Sequence, residues 1–568
     1  MNIHLIGFNC RFSHSCPALF YVRNELERHL PGTTPTLHQF TINDPYFETL
    51  LTITGFRADA LLFSVYIWNA SYLQRLLPDI HRVLPETPIV LGGPQAPALR
   101  ELLPFRATVV HNEIEGVDAA FFGDLASGEL REDYRSTPGG HFPSPYRPED
   151  FQTHLRDRNI YYESSRGCPF FCSYCLSSLS RGVTAKDLAQ VREELLAIFP
   201  HQPREIRFVD RTFNAEPRRA LAIWAFLLEN APAACSFHFE IAPDLFTEEM
   251  FVFLEEVEGG RFRFEIGIQS THRRTLAAVN RKMDVDRALA AIRRLRQHTG
   301  VHLHVDLILG LPFEDETRFG QSLRDVLTAL PQQLQMGLLK ILPDTAIARQ
   351  TATHGILSCR EAPYQVLATR WLDHPTLARL YRLGQCLEAF YNKGFFRTFF
   401  SFLIPVEPDI FAWFRQLADR CAARNFFALA HTQALLHEIL SAFVQEHDQA
   451  PLLLELLAYD WLLSGHRHLP GVPETELTAA RDFLWRHAPT SLDGRYSGRD
   501  RNLFFKRGVF RKFSAPLLAL AGLGTGGEGY LGFLSDRKNA RAVAIAIPVA
   551  GPERGEDAGA AASGDGPA

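Results

Sequence analysis

Strand-like and helix-like segments alternate along the first 345 residues of this 568-residue chain. In the first series, short apolar runs predict strands and the amphipathic stretches between them predict helices. The predicted strands are Ile3–Phe8, Thr36–Ile42, Ala60–Tyr66, Pro88–Gly93 and Ala107–Val110, and the predicted helices include Ala18–Leu30 and Ala70–Leu84. Repeated βα units of this length form doubly wound parallel sheets, so residues 1–125 are predicted to be a Rossmann-like α/β domain.

A second series of βα units occupies residues 159–345. Its predicted strands are Glu205–Asp210, Ser236–Glu240, Arg263–Ile268, His302–Leu309 and Gln335–Ile341, with helices such as Lys186–Phe199 and Asp286–Gln297. Five or six such units on one sheet predict a partial or full (β/α) barrel. Ligands of α/β sheets bind at the carboxyl ends of the strands, and these ends are unusually polar here.

The remaining segments have other patterns. Residues 126–158 are rich in glycine, proline and charge, which predicts a linker. Residues 346–535 contain the long helix-like runs Gln365–Ala389, Phe411–Asn425 and Leu429–His447 without βα alternation, so a mostly α-helical domain is predicted. Residues 551–568 are rich in glycine and alanine, which predicts a disordered tail.

Composition excludes some classes of function. The hydrophobic content of 46% and the charged content of 22% are those of a globular protein. A net charge of −5 gives no general attraction for nucleic acid, and no uncharged apolar run is long enough to span a membrane. The first residues lack a signal-peptide pattern, and nine cysteines without paired spacing fit a reducing compartment. We expect a cytoplasmic protein.

Three cysteines, Cys168, Cys172 and Cys175, have a C-x3-C-x2-C spacing that indicates metal binding. Three thiolates are one short of a closed zinc site, and no second pair of cysteines or histidines lies nearby. They suit an iron–sulfur cluster in which one iron stays free for another ligand. Structural thiols are the alternative, but Gly167 and Pro169 bracket the first cysteine and indicate a loop rather than a core face.

This cysteine run, with Tyr174 before its last cysteine, resembles the cluster loop of radical S-adenosylmethionine (SAM) enzymes. The resemblance implies that the cysteines hold a [4Fe-4S] cluster, that SAM chelates the free iron and that Tyr174 packs near the adenine. In that family the reduced cluster cleaves SAM to a 5′-deoxyadenosyl radical. The resemblance therefore also implies an electron donor of flavodoxin or ferredoxin type and a small-molecule substrate.

The same resemblance implies SAM contacts at the strand ends of the second series, from Asp210, Asn214, Glu265, Gln269 and Gly310. Glu265 and Gln269 are four residues apart on one predicted strand, so their side chains are expected on the same face. A carboxylate inside a barrel needs a partner or a ligand to offset its desolvation. A structural ion pair is the alternative explanation for Glu265, and a simple strand end is the alternative for Gly310.

The first domain resembles the cobalamin-binding domain that precedes the radical SAM domain in one large subfamily. The matching segments are Phe63–Asn69 and Leu91–Gln95. The resemblance implies that Ser64, Trp68, Gly92 and Gly93 line the corrin, beside the strand-end residues Asn9 and His14. Glycine allows close approach of the backbone to a planar ring, although Gly92 and Gly93 are also explained by a simple turn.

One motif of many cobalamin proteins, Asp-x-His-x-x-Gly after the first strand, is absent. Asp79 and His81 have the first half of that spacing, but they lie in a predicted helix that faces solvent. The resemblance implies that cobalt has no protein ligand on its lower face in this subfamily. His14 is a second candidate for that position, although a loop histidine more often forms hydrogen bonds.

These observations predict a cobalamin-dependent radical SAM enzyme that methylates an unactivated carbon of an unidentified substrate. A radical reaction other than methylation, and a non-catalytic cobalamin- or redox-responsive protein, remain alternatives. A methylthio-transferring enzyme is disfavoured because Cys10 and Cys16 are too few for the cysteine triplet that such proteins carry in their first domain. No general acid or base is predicted. The C-terminal helical region resembles an uncharacterised extension found in some of these proteins.

Overall fold

The structure is a computed structural model, and it describes residues 1–137, 142–179, 182–488, 501–524, 527–536 and 541–547. The chain divides into two compact units, Met1–Gly384 and Gln385–Ala568. Within the described ranges, no helix has both the length and the apolar character that a membrane crossing requires. The predicted disordered tail, residues 551–568, lies outside the described residues.

The first sheet has six parallel strands in the order β2-β1-β3-β4-β5-β6. The strands are β1 (Ile3–Asn9), β2 (Thr36–Thr41), β3 (Ala60–Ser64), β4 (Ile89–Gly92), β5 (Thr108–His111) and β6 (Asp133–Arg135). The helices are α1 (Pro17–His29), α2 (Tyr46–Thr54), α3 (Ala70–Val83), α4 (Ala96–Arg100) and α5 (Ala120–Ser127). The predicted Rossmann-like fold is confirmed. The strand order reverses between β1 and β3, and doubly wound sheets bind ligands at such a reversal.

Residues 126–158, which we predicted to be a linker, differ from a free connector in two ways. Strand β6 pairs with β5 and extends the first sheet, with Tyr134 buried between exposed neighbours. Asp150 forms a buried ion pair with Arg23 of α1, at 2.6 Å between Oδ1 and Nη1. A strand of three residues has too short a pattern to stand out in the sequence.

The second sheet is also parallel and runs β7-β10-β11-β12-β13-β14, the order of its strands along the chain. Its strands are β7 (Ile160–Tyr162), β10 (Glu205–Phe208), β11 (Ser236–Ile241), β12 (Phe262–Gln269), β13 (His302–Leu309) and β14 (Gln333–Leu338). A small antiparallel hairpin, β8 (Ser165–Gly167) and β9 (Val183–Ala185), follows β7. The helices are α6 (Leu188–Ile198), α7 (Pro217–Asn230), α8 (Glu248–Glu255), α9 (Arg273–Ala278), α10 (Val285–His298) and α11 (Glu316–Leu327). Strands β7 and β14 each have one neighbour in the sheet, so the barrel is not closed. Of the two predicted forms, a partial and a full barrel, the structure has the partial one.

The two faces of this sheet differ in chemistry. Along β12 and β13, apolar residues are buried at every second position and polar residues between them are only half-buried. The apolar face packs on the helices, because Trp224 of α7 lies against Phe239 and Phe264 with ring centroids 6.1 and 5.5 Å apart. The polar face therefore lines the inside of the partial barrel, which we call the lumen.

The predicted helix Gln365–Ala389 is wrong in its first part. Residues after β14 form α12 (Ala346–Arg349), α13 (Thr351–His354), β15 (Leu357–Ser358), β16 (Val366–Ala368) and α14 (His374–Cys386). Val366 donates its backbone N–H to Leu339, so β16 lies beside the end of the barrel sheet. The helix begins only at His374, where the Asp373 carboxylate accepts from the Thr376 N–H and caps it.

The second unit contains the predicted helices. It also contains one sheet that the sequence did not predict. The helices are α15 (Arg397–Val406), α16 (Ile410–Ala423), α17 (Gln433–Val444), α18 (Ala450–Leu463), α19 (Glu474–His487), α20 (Arg501–Arg507) and α21 (Ala515–Leu520). Strands β17 (Val509–Phe513), β18 (Gly529–Asp536) and β19 (Arg541–Ile547) form an antiparallel sheet in that order. The unit remains mostly α-helical.

Candidate functional site

The three cysteines lie on the loop that joins the two strands of the β8–β9 hairpin. Gly167 closes the base of this loop with a φ of +90°, and a Cβ at this position would overlap the carbonyl oxygen of Gly182. The position therefore requires glycine on both grounds. The hairpin follows β7, so the loop starts at the carboxyl edge of the barrel sheet.

The thiols are enclosed but reach neighbouring polar groups. Cys168 and Cys172 are buried, Cys168 Sγ is 3.5 Å from Thr212 Oγ1, and Cys172 Sγ is 3.6 Å from Arg281 Nη1. Among the described residues, no three His, Cys, Asp or Glu side chains converge on one point as a single metal ion requires. In a cubane cluster each thiolate binds a different iron, so three thiols on one loop are a ligand set that suits such a cluster.

Arg281 is a residue of this site that the sequence analysis missed. Besides its contact with Cys172, its Nη2 donates to the carbonyl oxygen of Gly267 on β12, while its Nε is buried without a hydrogen-bond partner. A guanidinium beside a thiolate stabilises the negative charge of the thiolate. No local motif identified Arg281, since Cys172 lies 109 positions earlier in the chain.

Two predicted SAM-contact residues, Tyr174 and Gln269, lie close to this arginine, and a third, Gly310, lies at the end of β13. The Tyr174 hydroxyl is buried without a partner, and burial raises the pKa of Tyr174. Gln269 follows a bulge in β12 and has a φ of +69°, and its amide lies where a Cβ on Gly267 would be. Gln269 therefore reaches the lumen face by a backbone irregularity rather than by regular alternation. At Gly310, φ is +96° and a Cβ would be 2.7 Å from Val366 Cγ1, so β16 itself requires this glycine.

Asp210 and Asn214 are engaged with the protein. The Asp210 carboxylate accepts from Ser164 N, Ser164 Oγ and Ser165 Oγ at 3.0, 2.5 and 2.6 Å. Burial raises the pKa of Asp210, and these serine hydrogen bonds oppose that effect. Asn214 is fully buried and exchanges hydrogen bonds with both backbone groups of Ala242. In this structure both residues hold loops at the carboxyl edge of the barrel.

The lumen carries ionisable groups on neighbouring strands. His238 Nε2 is 3.1 Å from Glu265 Oε2, and Arg207 Nη2 is 3.1 Å from His238 Nδ1. The hydrogen bond from His238 lowers the pKa of Glu265, although burial opposes it. Burial raises the pKa of Glu240 to about 7, and burial together with Glu265 and Glu240 raises that of Asp306.

The lumen is also open. The side chains of Glu240 and Glu265 keep 36% and 38% of their surface accessible, although they lie on central strands. The interior of a closed barrel is filled by branched apolar side chains. Charged, accessible side chains in the equivalent position leave room for a polar ligand.

At the first sheet, the carboxyl ends of β3 and β4 form the predicted corrin-binding edge. Gly93 has a φ of +100°, and a Cβ there would lie 2.6 Å from the Val65 oxygen, so strand packing alone requires this glycine. A Cβ on Gly92 would meet nothing within 4 Å, which means that the space above Gly92 is open. Trp68 is 43% exposed and stacks on Tyr66 at 4.3 Å, which gives this edge a flat aromatic surface.

The remaining predicted corrin contacts are tied into the protein. The Asn9 amide donates to His14 O and Gln39 Oε1, and Ser64 Oγ accepts from Cys16 Sγ. His14 Nδ1 is 2.5 Å from the Tyr161 hydroxyl, and burial lowers the pKa of His14. Because this hydrogen bond occupies Nδ1, a role of His14 as a cobalt ligand would require its second ring nitrogen, Nε2.

The Asp79–His81 pair lies within α3, as predicted. Asp79 accepts from the Tyr46 hydroxyl at 2.6 Å, and His81 stacks on Phe105 at 4.2 Å. These contacts account for both residues without a cofactor.

Two family models match parts of this chain. Residues 162–326 match the radical SAM superfamily, which covers the cysteine loop and β7 to α11. Residues 162–326 are a radical SAM domain. Residues 352–481 match a protein family of unknown function, DUF4080, which begins before α14 and ends within α19.

Among curated proteins, the chain is similar to the cobalamin-dependent radical SAM methyltransferase TokK of Streptomyces tokunonensis. The two are 24% identical over 336 residues, which are 51% of this chain and 48% of TokK. The chain spans between a third and about half the length of the first curated relatives that it matches.

Two solved structures have a similar fold. OxsB, a cobalamin-dependent SAM radical enzyme with aqua-cobalamin and SAM bound, has a TM-score of 0.56 at 14% identity, over 81% of this chain and 78% of OxsB. The radical SAM methyltransferase TsrM from Kitasatospora setae has a TM-score of 0.52 at 16% identity, over 63% of this chain and 78% of TsrM. These likenesses extend the fold assignment beyond the radical SAM domain to the first sheet, since OxsB covers most of the chain.

Proposed function

We propose that this protein is a cobalamin-dependent radical SAM methyltransferase that methylates an unactivated carbon of a small molecule. The observation that carries the proposal is the loop of three cysteines, two of them buried, at the carboxyl edge of a radical SAM domain. The first sheet, with the fold of cobalamin-binding relatives, supports the second cofactor. A reducing cellular compartment and a protein electron donor belong to the same proposal.

Cys168, Cys172 and Cys175 would hold a [4Fe-4S] cluster. Arg281, whose Nη1 lies 3.6 Å from the Cys172 sulfur, would offset the negative charge of the thiolates. When bound, the cluster with SAM supplies an organic radical and cobalamin supplies a methyl group. The burial of Cys168 and Cys172 limits the access of water and oxidants to the bound cluster.

SAM would bind along the edge between the cysteine loop and β12. Tyr174 and Gln269 have buried oxygens without hydrogen-bond partners, and these would bind polar groups of SAM. Gly310 would contribute through its backbone at the end of β13. Glu265 would hold a polar group of SAM from the lumen while His238 keeps it ionised. Asp210 and Asn214 would act indirectly, by fixing the loops that these contacts come from.

Cobalamin would lie on the carboxyl edge of the first sheet. Trp68 would contact the flat face of the corrin, and Gly92 would allow its close approach. Gly93 would line the same edge through its backbone. Asn9, His14 and Ser64 would shape the floor of the site through the hydrogen bonds that they make to neighbouring residues. The substrate would occupy the open, charged lumen between the two cofactors.

The test is anaerobic reconstitution with iron, sulfide and cobalamin, followed by iron analysis, electron paramagnetic resonance (EPR) spectroscopy and absorption spectroscopy. We expect about one cluster and one cobalamin for each chain. With a reductant and SAM, slow formation of 5′-deoxyadenosine is expected even without substrate. Cys172→Ala should lose the cluster, while Cys359→Ser, which changes a cysteine outside the loop, should keep it.

A full cluster in the Cys172→Ala protein would contradict the assignment of the metal site. Deuterium from methyl-labelled SAM should appear in a product when extracts of small molecules are added. Formation of 5′-deoxyadenosine without any labelled product would favour a radical reaction other than methylation. Loading of both cofactors without 5′-deoxyadenosine would favour a non-catalytic, cofactor-responsive protein.

A further inference from the structure

The β8–β9 hairpin that carries the cysteines is anchored to the barrel at its base. Ser164 and Ser165, just before and at the start of β8, bind Asp210 through three hydrogen bonds of 2.5 to 3.0 Å. Asp210 follows β10, so this anchor belongs entirely to the radical SAM domain. It fixes the hairpin to the barrel but not to the first sheet.

Arg166, at the centre of β8, makes a second and different connection. Its Nη2 is 2.7 Å from Glu115 Oε1 and 2.9 Å from Glu163 Oε2. Glu163 follows β7 of the barrel, whereas Glu115 lies in the turn Ile114–Gly116 that follows β5 of the first sheet. One guanidinium therefore joins the cysteine hairpin to the carboxyl edge of both sheets.

The surroundings of Arg166 restrict its movement. Its guanidinium lies 4.3 Å from the ring centroid of Phe142 and 5.2 Å from that of Tyr21. The Tyr21 hydroxyl, from α1 of the first domain, donates to Glu163 at 3.2 Å. The side chains of Arg166, Glu115 and Glu163 are only 18%, 12% and 22% exposed. An ion pair that is shielded from water and stacked on aromatic rings holds a more defined geometry than a surface pair.

We propose that Arg166 is a positioning residue that sets the separation between the cluster site and the cobalamin site. The proposal rests on the function proposed above. One terminal nitrogen of the guanidinium, Nη2, contacts both carboxylates while the guanidinium lies over the ring of Phe142. A lysine ammonium is not planar and cannot reproduce this stacked geometry. The ion pair connects Arg166 to Glu115, which lies at the sheet edge expected to hold cobalamin. Arg166 is also only two residues before Cys168 in the chain.

The Glu115→Gln variant isolates the connection between the domains. Arg166 stays paired with Glu163, so the hairpin keeps a neutralised arginine and its anchor on Asp210. Only the charged bond to the first sheet is lost. Arg166→Lys is the complementary variant, since it keeps the positive charge but loses the planar guanidinium that lies over Phe142. Glu132→Gln is the matched control, because it breaks the exposed pair with Arg106 in the same domain.

The measurement is EPR of the holoprotein that carries both cofactors, with cobalamin as cob(II)alamin and the cluster reduced. The magnetic interaction between the two centres falls steeply with distance, so the relaxation of the cobalamin signal reports their separation. We expect Glu115→Gln to bind both cofactors and form 5′-deoxyadenosine, but to lose much of the relaxation enhancement. Arg166→Lys should lose part of it, and Glu132→Gln none.

The possible outcomes separate the two proposals. Wild-type relaxation in Glu115→Gln and in Arg166→Lys, with both cofactors loaded, would overturn the role of Arg166 and leave the proposed function standing. Failure of the wild-type protein to bind a cluster or cobalamin would overturn the proposed function, and the role of Arg166 with it. Equal losses in the Glu132→Gln control would also overturn the role of Arg166, because the effect would then be unspecific.

Discussion

Single residues can combine burial with charge, and Glu314, which follows β13, shows the consequence most clearly. Its side chain is fully buried, Oε1 accepts from Ser270 Oγ at 2.5 Å and from Ser322 Oγ at 3.0 Å, and Oε2 has no partner. Burial raises the pKa of Glu314 to about 7, because no cation compensates the ionised form. The native state therefore binds a proton that the unfolded chain releases at lower pH.

We predict that Glu314 makes the protein less stable as the pH rises from about 4.5 to about 7. A raised native pKa contributes stability that is complete below the unfolded pKa and is lost as the pH passes through the native value. For one buried group the loss is on the order of 3 kcal/mol. Glu314→Gln cannot ionise, so the difference in urea midpoint between the variant and the wild type should shift in favour of the variant between pH 5 and pH 8.

The exposed Glu256→Gln change is the control for this measurement, and its difference from the wild type should not vary with pH. A parallel pH dependence for Glu314→Gln and the wild type would show that Glu314 stays ionised in the native state.

The sequence predicted residues of this site only where they lie in a local motif. The three cysteines are close along the chain, and Gly93 and Gly310 follow recognisable strands. Arg281 was missed because its partner is distant in sequence: Cys172 is 109 positions from Arg281. Asp210 and Asn214 have the expected polar character, but only the structure reveals that Ser164, Ser165 and Ala242 occupy them.

At the level of elements, apolar periodicity predicts long strands well and short ones poorly. Strand β13 has eight residues that alternate strictly between buried and half-buried positions, so its pattern is unmistakable. Strands β6 and β16 have three residues each, and β16 lies inside a run with helical periodicity. Strand β6 pairs with β5 of the first sheet, whereas β16 pairs with β15 and donates one backbone hydrogen bond to Leu339. Their strand conformation depends on these neighbours more than on their own sequence.

The segment 142–158 depends on α1 in the same way, and Asp150 tests this dependence. Asp150 accepts from Arg23 Nη1 and Nη2 at 2.6 and 2.9 Å, and the two side chains are 1% and 7% exposed. Asp150→Asn leaves an uncompensated buried arginine, which should lower the free energy of unfolding by about 3–5 kcal/mol. Urea denaturation of the purified protein measures the change.

The matched control is Asp286→Asn, which removes a carboxylate from the pair with Arg273, where both side chains are at least 80% exposed. Its urea midpoint should stay close to that of the wild type, because exposed pairs contribute little. Equal effects of the two substitutions would mean that the Arg23–Asp150 pair adds nothing to stability beyond that of a surface pair.

At the level of the whole molecule, all the residues proposed to hold the two cofactors lie within the first compact unit, Met1–Gly384. The radical SAM match ends at residue 326, and the match to the family of unknown function extends from residue 352 into the second unit. The two family boundaries and the structural boundary therefore do not coincide. Residues 352–384 belong structurally to the unit that holds the cysteine loop.

We predict that a chain of residues 1–386, which keeps α14 complete, binds the cluster and cobalamin in the same ratio as the full chain. All the residues assigned to the two sites are present in it. Iron analysis and cobalamin absorbance of the reconstituted protein measure the ratio. Loss of either cofactor from a folded truncated chain, as judged by circular dichroism, would mean that the second unit contributes to that site.

The alternation along the barrel strands separates two tasks within one sheet. Phe239 and Phe264 hold the helices in place, while Glu240 and Glu265, one position further along, touch only the lumen and its contents. Under the proposed function, substitutions at the second set would change which substrates bind and would leave the packing of the first set intact. A protein with this division can acquire new substrates through a few substitutions on the lumen face, and these substitutions require no compensating change in its core.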